Sequence, residues 1–152
     1  MVLNAKETQA IKELQSQEQI CIEKYRKYGK DAKDPVLKDL FQTLEQKEQQ
    51  HYNTLGQILS GSVPQCDCND TEGRDYNPSG TYSIMSHSPD KDADGFLATD
   101  SISTEKMVSS EYNSDVFTFG DTDIRKALAE IQIEEQNHAE MLYKYKTVNG
   151  MS

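Results

Sequence analysis

Two E-x-x-H tetrapeptides, Glu48-Gln49-Gln50-His51 and Glu135-Gln136-Asn137-His138, lie 87 residues apart. Each follows a solitary glutamate by 30 residues, Glu18 in the first case and Glu105 in the second. The same offset maps Tyr112 onto Tyr25, Asp121 onto Asp34, Gln136 onto Gln49 and Leu142 onto Leu55 without a gap. The chain therefore reads as two copies of one unit. What that unit can fold into is narrowed by its acids and imidazoles, because they fall where helical periodicity reserves places for apolar side chains.

The helical reading rests on spacing and on end signals. Asn4-Ala5-Lys6-Glu7 has the form of a capping box, and Ile11, Leu14, Glu18, Cys21, Tyr25, Tyr28 and Ala32 follow in steps of three and four. Asp34-Pro35 restarts the pattern as an N-cap with proline at the first helical position. A second stripe then carries Leu37, Phe41, Leu44, Glu48, His51, Leu55 and Ile58 before Gly61. So short a connection makes the two helices antiparallel neighbours. A third helix is predicted from about Thr99 or Asp100, with Ile102, Glu105, Val108 and Tyr112 inward. A fourth, capped by Asp121 or Thr122, carries Ile124, Leu128, Ile131, Glu135, His138, Leu142 and Tyr145 and closes at Asn149-Gly150. The expectation is a single all-α domain over residues 1–152, with one hairpin at about 4–60, a crossover over 60–98 and a second hairpin at about 99–150.

An ionised carboxylate in an apolar core shifts its pKa, finds a partner or binds a metal. Within each E-x-x-H the two ligating groups share one helix face, one turn apart. One such pair is a weak signal: with 13 Glu in 152 residues, a given His meets one three places upstream about one time in ten by chance. Two pairs in core register, each with its solitary Glu, are far more specific. Glu18, Glu48, His51, Glu105, Glu135 and His138 together supply the four carboxylates and two imidazoles of di-iron and di-manganese helical sites. They are the candidate ligands for two divalent ions, iron or manganese. Tyr25 and Tyr112, seven residues past the solitary glutamates, are candidates for hydrogen-bonding a ligand carboxylate from a neighbouring helix, or else ordinary aromatic core. The alternative is a metal-free polar network closed by Gln49, Gln50, Gln136, Asn137 and the tyrosines, which leaves much negative charge uncompensated.

The E-x6-Y and E-x-x-H pattern resembles the ferritin-like superfamily and especially the rubrerythrin-type half-repeat. More narrowly, Glu18 through Tyr25, Glu48 through His51, Asp100 through Lys106 and Tyr145 through Met151 resemble the spore coat protein F family of spore-forming bacteria. The resemblance implies a ferritin-like antiparallel four-helix bundle in which the second and third helices run parallel and need a crossover the length of the bundle. Helices of ~25 residues are about 37 Å long, a distance the chain between Ser60 and Gly95 spans easily. The resemblance also implies a spore coat location, with other coat proteins or a second copy as partner. Rubrerythrins carry a further Glu on the third helix and a four-Cys electron-donor module. Here Ser101, Val108 and Ser109 flank Glu105, and no four-Cys module is present.

Between Ser60 and Gly95, 23 of 36 residues are Gly, Pro, Ser, Thr, Asn or Asp, which marks this stretch as the connection. Within it, Asp90, Asp92 and Asp94 followed by Gly95 match the opening of a calcium loop weakly, since the twelfth position is Ser101 where a bidentate acid is needed; an Asp-rich turn before a helix is the simpler reading. Cys66 and Cys68 lack the spacing of a zinc site and read as free thiols or as cross-links to other chains. Cys21 reads as a small buried apolar residue, and His87 as a solvated loop histidine. A formal charge of −10 argues against nucleic acid and anionic membranes as partners. No apolar run reaches the ~18 residues of a membrane span, and no signal peptide is visible, so synthesis is expected in the cytoplasm. Two functions fit: a coat component whose bundle binds metal for stability, or a di-metal oxidoreductase acting on peroxide or oxygen.

Overall fold

The computed structural model describes residues 1–65 and 70–152. Cys66 and Cys68 lie outside the described residues. Helix α1 (Ala5–Asp31) opens on the capping box: the Asn4 side chain accepts from the Glu7 amide, and Glu7 accepts from the Asn4 amide, each at 2.9 Å. Helix α2 (Pro35–Leu59) follows three residues after α1, with the Asp34 carboxylate accepting from the Val36 amide at 3.0 Å. Pro35 loses nothing at the first helical position, where no intrahelical partner exists for an amide. A single helical turn, α3 (Glu72–Asp75), interrupts the crossover. Two further long helices, α4 (Pro89–Asp115) and α5 (Thr122–Val148), are joined by a 3-10 turn over Val116–Thr118. The Asp121 carboxylate caps α5 by accepting from the amides of Asp123 and Ile124. The described residues are all-helical, with no strand among them.

Helix α4 starts at Pro89, ten residues before the expected Thr99, and the crossover is correspondingly shorter. Ser88 caps it, its hydroxyl accepting from the Lys91 amide at 3.1 Å. The inward stripe of α4 is Asp94, Ala98, Ser101, Glu105, Val108 and Tyr112. Ser101 takes the inward place expected of Ile102, which is only partly buried. Two of the first three inward residues are polar, so apolar periodicity cannot reveal these turns. Asp94 accepts from the amides of Lys33 and Asp34 at 2.9 Å each and from the Tyr82 hydroxyl at 2.7 Å, which ties α4 to the α1–α2 turn. Asp90, Asp92 and Asp94 therefore lie in the first turns of a helix, and they do not form a calcium loop.

Helix α1 packs along α2 and α4 along α5, while α1 also meets α4 and α2 meets α5. The apolar core is divided. One cluster gathers Ile11, Leu14, Leu55, Ile58, Ile124 and Leu128, and the other Leu37, Phe41, Leu44, Ala98, Leu142 and Tyr145. Each large side chain so buried contributes roughly 1.5–3 kcal/mol. Glu18, Glu48, His51, Glu105, Glu135 and His138 are buried too but belong to neither cluster, which leaves a polar layer in the core.

Helix side chains organise the crossover backbone. Asn137 accepts from the Gly73 amide at 2.7 Å, and Lys144 donates to the carbonyls of Gly73 and Arg74 at 2.6 and 2.8 Å. Further along, Asn149 accepts from the amides of Thr81 and Tyr82. Buried Lys91 donates to the carbonyls of Ser83 and Ser86, each at 2.8 Å.

Candidate metal centre

Each long helix delivers its polar residues by the same local logic. Glu18 and Glu105 sit mid-helix on the inward stripes of α1 and α4, and the three-residue spacing within each E-x-x-H turns both of its side chains inward from α2 and α5. All six are at most 3 % exposed. Their ligand atoms form two overlapping groups, Glu18–Glu48–His51–Glu135 and Glu48–Glu105–Glu135–His138, each with its atoms within 4.8 Å of one another. Glu48 and Glu135 belong to both groups. The pairing crosses between hairpins: His51 Nδ1 lies 2.8 Å from Glu135 Oε1, and His138 Nδ1 lies 2.8 Å from Glu48 Oε1. The two imidazole rings are nearly parallel, with centroids 5.8 Å apart.

These contacts leave the groups unsatisfied. Glu18 Oε2, Glu105 Oε2, both oxygens of Glu48 and of Glu135, and Nδ1 of each histidine are buried without a hydrogen-bond partner of proper geometry among the described residues. A buried polar atom left in that state costs about 1–3 kcal/mol, and more when charged. The donor set is oxygen and imidazole nitrogen converging on one volume, a combination that binds divalent metals. The six residues could hold a metal ion.

The protonation pattern has the same origin. Burial and then the neighbouring Glu48 push Glu18 well up, and burial followed by Glu105, Glu48 and Glu18 does the same to Glu135. Burial opposes ionisation of Glu48, yet Glu18, His138 and His51 around it hold its carboxyl well below the usual range. His138 is carried up to about 10 against the effect of burial, because Glu105 and Glu48 face it. Without a cation, protons must compensate the buried charge.

Two tyrosines reach the layer, and the amides do not. Tyr112 donates to Glu18 Oε1 at 2.7 Å, and Tyr25 donates to Glu105 Oε1. Both bonds run between α1 and α4, each tyrosine holding the other helix's solitary glutamate. Gln49, Gln50 and Gln136 are exposed, with Gln49 donating to Asn53, and Asn137 is taken up by Gly73 and Asp70 of the crossover. The amides that a metal-free network needs are therefore turned elsewhere. Cys21 is buried as a small core residue, and burial followed by Glu48 and Glu18 pushes its thiol up.

One contributor escapes apolar periodicity. Glu134 meets Nε2 of His51 from outside the layer and is one-third exposed. The signal for it is a break in the repeat, since the residue 87 places earlier is Lys47.

The fold and the layer define a class: an all-helical protein with a buried carboxylate–imidazole cluster. Residues 93–152, covering most of α4 and all of α5, match the family model of the Coat F domain. The match covers the second hairpin, agrees with the resemblance to spore coat protein F and supports a spore coat location. It includes Glu105, Glu135 and His138, and the repeat carries the same pattern into the first hairpin as Glu18, Glu48 and His51. No curated protein and no solved structure matches the chain. No helix among the described residues is long and apolar enough to cross a membrane.

Proposed function

We propose that this is a spore coat protein whose long helices form a ferritin-like four-helix bundle around two divalent metal ions, iron or manganese. The observation that carries the reading is the set of buried, unpartnered ligand atoms converging from all four long helices. On this reading Glu18, Glu48, His51 and Glu135 would hold one ion, and Glu48, Glu105, Glu135 and His138 the other. When bound, such a pair supplies Lewis acidity and one-electron redox chemistry. The chain's own part is to fix the carboxylates, with Tyr112 and Tyr25 holding one oxygen each of Glu18 and Glu105, and to close the layer between two apolar clusters. Assembly with other coat proteins or with a second copy follows from the family rather than from a feature of the surface.

The test is metal analysis of the protein loaded with Fe(II) or Mn(II). About two ions per chain are expected, and Glu48→Ala should abolish the pair. A stoichiometry near zero sinks the proposal.

One observation favours a second reading, a di-metal oxidoreductase acting on peroxide or oxygen. A groove of about 400 Å³ runs between α1 and α4, with Cys21 and Val108 in its lining. Both lie three residues past a solitary glutamate, at equivalent places of the repeat. On this reading a small oxidant would enter past Cys21 and Val108, each one helical turn from a ligand glutamate. Peroxide consumption by the loaded protein, with and without a reductant, separates the readings, and no turnover in either condition leaves the structural role.

A further inference from the structure

The internal repeat predicts two equivalent half-sites, and the residues around the two histidines depart from that equivalence. Nδ1 of both rings faces the carboxylate layer. The outer nitrogens differ. Nε2 of His51 is held by Glu134 of α5. Nε2 of His138 is buried with no hydrogen-bond partner among the described residues. Glu134 and Lys47 are repeat equivalents, so a carboxylate stands beside one ring where the other hairpin supplies an ammonium. Lys47 is turned away, paired with Glu72 of α3 at 2.7 Å.

We infer that Glu134 is a positioning residue that makes the two metal positions unequal, with the His51 position the tighter. The inference rests on the di-metal reading above. A carboxylate accepting from Nε2–H fixes the tautomer that leaves Nδ1 free for the metal, orients the ring and raises its basicity, whereas a ring without such a partner has none of these advantages. Loss of a partner of this kind costs about 10–100-fold in metal affinity. The one-third exposure of Glu134 lets it be changed without opening the core.

The experiment is titration of the metal-free protein with Mn(II), the free ion read by electron paramagnetic resonance. Wild type should fill in two resolved steps. E134Q should weaken one step by about 10–100-fold and leave the other within about twofold, with the melting temperature of the metal-free protein unchanged. The H138A background should retain the step that E134Q weakens. In H51A the effect of E134Q should vanish, because the ring it acts through is gone. Two indistinguishable steps in wild type, equal weakening of both by E134Q, or an undiminished E134Q effect in H51A each overturn the inference while the di-metal reading stands. Binding of no metal by wild type overturns the di-metal reading itself.

Discussion

Tyr112 shows how a single hydroxyl shapes the layer. Its ring is fully buried and fills core space, while its oxygen donates to Glu18 across the α1–α4 interface at 2.7 Å. Tyr112→Phe keeps the ring and removes only the bond, so the metal-free fold should survive. Metal affinity should drop by about tenfold, the lower end of the range for such partners, as measured by competition with a chelator. An unchanged affinity would make the tyrosine ordinary core. Six polar residues at this scale were legible because an acid or imidazole on an apolar stripe is an anomaly that periodicity exposes. Glu134 was not, since it stands one-third exposed beside the stripe and only the mismatch with Lys47 marks it. Nor could spacing tell which glutamates are shared between the two groups. Spacing gives the helix face of each side chain, whereas sharing depends on distances between hairpins.

The capping signals at Asn4, Asp34 and Asp121 placed the starts of α1, α2 and α5, because a side chain that satisfies the first free amides is a local feature of sequence. The start of α4 has the same kind of local signal, Ser88 capping before Pro89, yet the apolar stripe does not reach back to it, because its first turns face inward through Asp94 and Ser101, whose partners are distant in the chain or lie in the helix backbone itself. Asp94→Ala would leave the amides of Lys33 and Asp34 without their acceptor. At about 1–3 kcal/mol for each orphaned buried group, a loss of roughly 2–4 kcal/mol is expected in denaturant unfolding. Millimolar calcium should leave the midpoint of the wild-type protein where it is, since these aspartates are committed to the helix and its neighbours. The crossover carries a tighter constraint at Gly80, where an added Cβ would come within 2.7 Å of the Val148 carbonyl oxygen. Backbone cannot swing aside as a side chain can. Gly80→Ala should therefore loosen the segment against α5, at a cost of about 1–3 kcal/mol as for other overpacked sites, and limited proteolysis should cut near it sooner than in wild type.

At the scale of the whole molecule, the repeat gives the chain two similar halves, and the crossover makes them different. It lies against α5, where Asn137, Lys144 and Asn149 hold its backbone, while exposed Gln50 stands at the α2 equivalent of Asn137. The charge of the molecule is also unevenly placed, with four of its 26 acids enclosed between two apolar clusters. Enclosure makes the stability of the fold depend on what compensates them. Ligands that bind only the folded chain stabilise it by mass action, about 2.7 kcal/mol at a hundredfold excess over Kd. For a chain of this size that is a melting shift of roughly 5–10 °C. Adding Mn(II) to the metal-free protein should therefore raise its melting temperature by about that amount, and a chelator should reverse it. Glu135→Gln should abolish the shift, because Glu135 belongs to both ligand groups. Acid should abolish it as well. Burial and the surrounding carboxylates raise Glu18 and Glu135 in the metal-free protein, so their protons compete with the metal at a pH where a solvated carboxylate would not compete. The direction is fixed by linkage: binding releases protons, so metal is held less tightly as pH falls. Melting curves with and without Mn(II) should converge on acidification. A shift that persists unchanged into acid would place the metal away from these carboxylates.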